Sequence, residues 1–108
     1  MSPVTFPRAE LATAYSFLRE VMGLGSLIPI PWCVVLFHVA ANPGKTQVEI
    51  SHATEFTTTL VSRAVDYFRK MGLVSQEPSA EDRRLKCIRL TAKGERFIQG
   101  MLKALTKE

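Results

Sequence analysis

The chain is poor in the residue types that staple, anchor or activate a small protein. Its 108 residues include two cysteines, Cys33 and Cys87, and two histidines, His38 and His52. Two cysteines are too few for a disulfide framework, and each sits among apolar neighbours, as reduced core thiols do. The four side chains show no metal-ligand spacing, so no metal is expected. No nucleophile–base pair and no phosphate-cradling loop is visible, which argues against an enzyme and against a cofactor. The longest apolar run, Trp32 to Phe37, is far short of the roughly 20 residues that span a bilayer. Charged residues at Arg8, Glu10, Arg19 and Glu20 interrupt the start of the chain, so no secretory signal and no membrane partner is expected. The expected compartment is the cytoplasm. There are no repeats and no low-complexity segment.

What is present suits one ordinary globular domain over residues 1–108, with 46% hydrophobic and 22% charged residues. The net charge is +4, and its placement is uneven. Residues 1–54 hold three cations against three anions, whereas residues 55–108 hold eleven against seven. The second half is therefore where a polyanion could bind, or else it carries a solvated basic face.

The spacing predicts a mostly helical fold with one small hairpin. Thr5-Phe6-Pro7 reads as a helix start with proline in the first turn. Leu11, Ala14, Tyr15, Leu18, Val21 and Met22 recur at helical spacing until Gly23 and Gly25. A second helix begins near Pro31. Trp32, Val35, Leu36, Val39 and Ala40 form one face, and Cys33, Val34 and Phe37 make the rest apolar, the mark of a buried helix. His38 is its one strongly polar residue, best read as hydrogen-bonded in the core. Asn42-Pro43-Gly44 ends it.

Thr46-Gln47-Val48-Glu49 fits a capping box. The short helix it opens offers Val48, Ile50 and Ala53 to the core. From Thr57 the stripe Val61, Ala64, Val65, Phe68 faces inward, and Thr59, Ser62, Arg63 and Asp66 lie opposite, with Arg69 and Lys70 near the end. Gly72 terminates that helix. Leu73 to Glu77 reads as a strand, Pro78 to Asp82 as a loop and Leu85 to Leu90 as the returning strand. Thr91 caps a last helix carrying Phe97, Ile98, Met101, Leu102 and Leu105.

Two short helices joined by a tight turn, then a basic hairpin, make a winged helix-turn-helix pattern. A helix N-terminus with small hydrogen-bonding side chains can enter the major groove and reach base edges. Its backbone N–H groups also suit phosphates. The helix offers Thr57, Thr58, Thr59, Ser62, Arg63 and Arg69 as candidate DNA contacts. The hairpin adds Arg83, Arg84 and Lys86, with Arg89 close by. An arginine at a hairpin tip can enter a narrow minor groove, where the negative potential is enhanced.

Leu60-Val61-Ser62-Arg63-Ala64-Val65-Asp66, followed by Lys70-Met71-Gly72-Leu73-Val74, resembles the recognition helix and first wing strand of the multiple antibiotic resistance regulator (MarR) family. Asp82 through Gly94 (DRRLKCIRLTAKG) resembles that family's wing and the entry to its next helix. The resemblance covers residues 31–105. It implies a dimeric bacterial transcription regulator, often a repressor, on palindromic double-stranded DNA. By position, Thr58, Thr59, Ser62 and Arg63 match the DNA-facing part of the recognition helix. Arg84 matches the wing arginine that enters the minor groove, and Asp82 the acid that holds it. Gly94 matches a position where a side chain would keep the last helix from packing closely. Glu55 stands where the family's turn has glycine.

The resemblance divides the chain into an N-terminal dimerisation segment (1–28), the helix-turn-helix (46–70), the wing (73–90) and a C-terminal dimerisation helix (91–106). Family members carry a further C-terminal helix that completes the dimer, and this sequence stops about where it would begin. A homodimer is then expected to rely on Leu11, Tyr15, Leu18 and Met22 with Phe97, Ile98, Met101, Leu102 and Leu105. The family's effector pocket lies in the shortened region, which argues against a small-molecule effector. A phage- or plasmid-type replication or partition accessory, and a winged-helix module that binds protein instead of DNA, are the alternatives.

Overall fold

The computed structural model describes residues 7–23 and 28–106. The elements run α1 (Arg8–Met22), α2 (Ile30–Ala41), β1 (Lys45–Thr46), α3 (Gln47–Thr54), α4 (Thr58–Lys70), β2 (Val74–Pro78), β3 (Lys86–Leu90) and α5 (Ala92–Thr106). Thr5, Phe6 and Gly25, read from sequence as bounding α1, lie outside the described residues. Pro7 is the N-cap of α1, one position before the first turn.

The core forms where α2, α3 and α4 meet the sheet. Its largest fully buried side chains are Phe68, Leu36, Ile50, Ile88, Met101, Val35, Val39, Val61 and Val65. The whole predicted stripe of α4 is buried, as its i, i+3, i+4, i+7 spacing requires. Thr91 caps α5 as expected, its hydroxyl accepting from the Gly94 N–H at 3.0 Å. The capping box is also formed: Thr46 Oγ1 accepts from the Glu49 N–H at 3.2 Å, and Glu49 Oε1 accepts from the Thr46 N–H at 3.0 Å. Those bonds hold the Glu49 carboxyl below its ordinary range, the Thr46 backbone bond contributing most.

Several expectations are corrected. In α3 only Ile50 is buried; Val48 is 60% exposed and Ala53 faces outward. The rest of its partly covered side belongs to Ser51 and Thr54, whose hydroxyls bond backbone carbonyls there. The second helix is not buried all round. Cys33, Val35, Leu36 and Val39 are inside, whereas Ile30 and Val34 are exposed. Its outer side meets α1 through Phe37, which stacks on Phe17 with ring centroids 5.6 Å apart. His38 is half-buried, with Nδ1 3.4 Å from the Asn42 amide nitrogen. Cys33 is a core thiol whose pKa burial pushes up. Cys87 is not one: it is half-buried on the sheet strand β3, next to the fully buried Ile88.

A third strand was not anticipated. The sheet is antiparallel in the order β1-β3-β2. Lys45 pairs with Ile88 and Thr46 with Cys87 on one edge of β3, and Val74 with Leu90 through Pro78 with Lys86 on the other.

The molecule is elongated, 59 × 31 × 23 Å, with a radius of gyration of 16.1 Å. A compact chain of this length would have about 13 Å. The helices α1 and α5 pack along one another, and α1 buries only Val21. Leu11, Tyr15, Leu18, Met22, Leu102 and Leu105 are left exposed. Ile98 and Met101 are not: both are buried in the core, with Phe97 packed against it. The first turns of α5 lie on α2 and β3, so its first apolar residues are used within the monomer.

Candidate nucleic-acid interface

The turn between α3 and α4 sets the angle of the candidate recognition helix. Glu55 adopts the left-handed conformation, φ 60° and ψ 24°, which non-glycine residues enter at a cost of about 1–2 kcal/mol. Side chains on α3 hold the turn. The Ser51 hydroxyl donates to the Phe56 carbonyl, and the Thr54 hydroxyl donates to the Ile50 carbonyl at 2.7 Å. Phe56, half-buried, packs against the core.

Thr57 then caps α4, its Oγ1 accepting from the Leu60 N–H at 3.1 Å. Its hydroxyl oxygen is thereby engaged by the helix itself. Thr58, Thr59, Ser62 and Arg63 are all exposed along the first two turns. This is a face of short hydroxyls and one long cation at a positive helix end, the arrangement that base edges and phosphates require.

Arg69 lies on α4 two turns beyond Ser62 and is ion-paired. Its Nη2 is 2.8 Å from Asp66 Oδ1, and Lys70 Nζ is 3.1 Å from Asp66 Oδ2. Lys70 and then Arg69 hold the Asp66 carboxyl below its usual range. Sequence reasoning placed Asp66 on this face without seeing that it draws both cations together; the i+3 and i+4 spacings carry that signal.

The wing loop is closed by backbone bonds from Ser79 N–H to the Leu85 carbonyl at 2.8 Å and from Leu85 N–H to the Asp82 carbonyl at 3.0 Å. Within it Asp82 grips Arg84 three times. Oδ1 accepts from the Arg84 backbone N–H at 3.0 Å and from Nε at 3.1 Å, and Oδ2 accepts from Nη2 at 3.0 Å. The Arg84 side chain is nonetheless 90% exposed. The pair lowers the Asp82 pKa, chiefly through the side-chain bonds, and raises that of Arg84. Arg83 and Lys86 are exposed near it in sequence, whereas Arg89, also exposed, lies farther along β3 with its guanidinium against Gly44.

Gly94 abuts the end of β2's lead-in: a Cβ built there would lie 2.1 Å from the Leu73 carbonyl oxygen. The close approach implied by the resemblance is thus present. Among the described residues, no group of three or more His, Cys, Asp or Glu side chains is placed to hold a metal ion. No described helix is long and apolar enough to cross a membrane.

Known proteins resemble this chain in part of its sequence and in its fold. The chain is similar to the HTH-type transcriptional regulators PrsX and PapX of Escherichia coli, at 47% and 45% identity over 51 residues. That stretch is 47% of this chain, and the chain spans less than a third of those relatives, 31% of their length. A solved structure of the transcriptional repressor CouR bound to a 23-mer DNA duplex superposes with a TM-score of 0.70 at 29% identity, covering 93% of this chain and 69% of that one. The S. aureus MepR–DNA complex shares the fold, with a TM-score of 0.77 at 21% identity, covering 87% of this chain and 76% of that one. The described body is five helices with a small three-stranded antiparallel sheet, a winged helix-turn-helix. The MarR family sequence model matches residues 28–85, more than half of the chain, and the chain belongs to the MarR family.

Proposed function

We propose that this chain is a sequence-specific double-stranded DNA-binding transcriptional regulator, acting as a homodimer on a palindromic site and most simply as a repressor. The observation that carries the reading is the wing. Exposed ion pairs add little stability, so the bonds that Arg84 donates to Asp82 serve orientation: the backbone N–H fixes the turn, and Nε and Nη2 fix a long, 90% exposed cation at the hairpin tip. A pre-aimed arginine suits a narrow minor groove. The exposed Thr58, Thr59, Ser62 and Arg63 supply the major-groove reader, and Arg83 and Lys86 add phosphate contacts.

The segments 46–70 and 73–90 form the DNA-binding part. The segments 1–28 and 91–106 supply the dimer, through the exposed Leu11, Tyr15, Leu18, Met22, Leu102 and Leu105. Large apolar side chains left exposed on two helices that pack along one another are candidates for an interface. A two-fold dimer places two recognition helices about 34–36 Å apart, one turn of DNA. The protein works in the cytoplasm, without catalysis, and the reading requires no small-molecule effector. The relatives named as transcriptional regulators favour this over a replication accessory or a protein-binding module.

The test is selection of bound duplexes from a random DNA pool. A recovered palindrome with half-sites one helical turn apart is the expected result. A pool that shows no enrichment over successive rounds defeats the reading.

A further inference from the structure

The turn that leaves α4 is held by the start of α5. The last carbonyls of a helix lack partners within it; in α4 those of Tyr67, Phe68 and Arg69 accept from the N–H groups of Met71, Leu73 and Gly72 in the turn that follows. The carbonyls of that turn, at Met71, Gly72 and Leu73, are taken by the start of α5. The Leu73 carbonyl accepts from the Thr91 N–H at 3.0 Å. The Gly72 carbonyl accepts from the Thr91 hydroxyl. The Met71 carbonyl accepts from Lys93 Nζ at 3.0 Å.

The hydroxyl of Thr91 has two tasks at once. Its oxygen caps α5 by accepting from the Gly94 N–H at 3.0 Å, while its proton goes to the Gly72 carbonyl in the turn just past α4. Lys93 adds a cation at the negative end of the α4 dipole, its stem crossing over Gly72, which needs its positive φ of 78° to turn the chain there. Gly94 lets the backbones approach: the absent Cβ would sit 2.1 Å from the Leu73 carbonyl oxygen. The bonded carbonyls also lie at the last rung of the wing ladder, where Val74 pairs with Leu90. Recognition helix, wing base and α5 are therefore pinned at one joint. From that joint α5 runs on to pack along α1.

We propose that Thr91 and Lys93 are positioning residues for DNA binding: by clamping the end of α4 to the start of α5 they fix the recognition helix against the dimer-forming end, and so set which half-site spacing the protein accepts. The inference rests on the dimeric DNA-binding reading above. Neither side chain has to touch DNA for this. A hinge at the joint would leave each recognition helix able to read its own half-site. It would remove the fixed separation that makes the second contact intramolecular, and with it the gain from linking two sites.

The experiment compares the full chain with Thr91→Val, Thr91→Ser and Lys93→Met on three DNA probes: a duplex with one half-site, the selected palindrome, and a library of paired half-sites with varied spacers. Thermal unfolding verifies that each variant folds. Lys93→Met keeps the aliphatic stem at an exposed position, so it reports even if Thr91→Val fails to fold. Thr91→Val and Lys93→Met are expected to bind the single half-site within about twofold of the wild type. They are expected to lose about tenfold or more on the palindrome and to accept a broader set of spacers. Thr91→Ser restores both. Equal losses on the half-site and the palindrome, with an unchanged spacer preference, overturn the proposal and leave the DNA-binding reading standing. A wild-type chain that binds none of the three probes overturns both.

Discussion

Replacing Gly94 with alanine adds one carbon where the structure has no room for it. The new Cβ would lie 2.1 Å from the Leu73 carbonyl oxygen and 3.0 Å from its carbonyl carbon, both backbone atoms that cannot swing aside. Ordinary contact begins near 3.4 Å, so the start of α5 must retreat by about 1.3 Å. Overpacking of this kind costs about 1–3 kcal/mol. The same retreat stretches the bonds from Thr91 and Lys93 to Gly72 and Met71, worth about 1 kcal/mol each. Alanine returns about 1 kcal/mol through its better helix propensity. The net loss is about 2–4 kcal/mol, which at about 4 °C per kcal/mol for a domain of this size lowers Tm by roughly 8–16 °C. Gly100 provides the control. It lies on the same helix with nothing within 4 Å of its added Cβ, so Gly100→Ala should raise stability by about 1 kcal/mol. Thermal and urea unfolding of the two variants measure the difference in sign. A Gly94→Ala protein as stable as the wild type would refute the close-approach argument.

Three further outcomes follow from the same geometry. Glu55→Gly should stabilise by about 0.5–1 kcal/mol in urea unfolding, because it relieves a left-handed φ of 60° at the expense of some chain entropy; destabilisation would show that the Glu55 side chain contributes to the turn. The capping-box carboxyl of Glu49 is held low when folded, so its stabilisation is full above the ordinary glutamate pKa and is lost as pH falls through the lower folded-state value. Unfolding followed across that range should show a shallower acid loss for Glu49→Gln than for the wild type, and identical profiles would count against the box. On DNA, Arg63→Ala should relax preference at particular base positions by about 1–3 kcal/mol, whereas Arg84→Ala should weaken binding more evenly across sequences. Competition binding over a panel of site variants separates the two, and unchanged affinity in both would mean that the face is wrongly assigned.

Local chemistry made much of this fold legible in the sequence. The Thr46–Glu49 box, the Val61–Phe68 stripe and the Thr91 cap are encoded within four to eight residues, and each is found where its spacing puts it. What was missed depends on distant partners. Lys45 and Thr46 become a strand only because Ile88 and Cys87 arrive beside them, and no two-residue pattern can announce that. The apolar residues of α2 from Trp32 on were read as buried nearly all round, but burial depends on how many neighbours surround a helix, and Val34 has too few. The same uncertainty ran the other way in α5, where Ile98 and Met101 serve the core and leave Leu102 and Leu105 outside. At the candidate interface, sequence identified the exposed residue types and the Asp82–Arg84 pairing through the resemblance. It did not show that Thr57 is engaged as a cap or that Asp66 gathers Arg69 and Lys70. The second could have been read from the i+3 and i+4 spacings; the first turns on side-chain direction, which residue type leaves open.

The central claim is that the α4 face and the wing bind duplex DNA through their cations and hydroxyls. Titration of the full chain against a fluorescently labelled duplex carrying the selected palindrome, repeated at several salt concentrations, tests it most directly. The expected result is a straight line of log affinity against log salt, with a slope of about −0.9 for each phosphate neutralised. Arg84→Ala should bind more weakly along the whole line. An affinity that does not change with salt, or no binding at the lowest salt used, would contradict the claim.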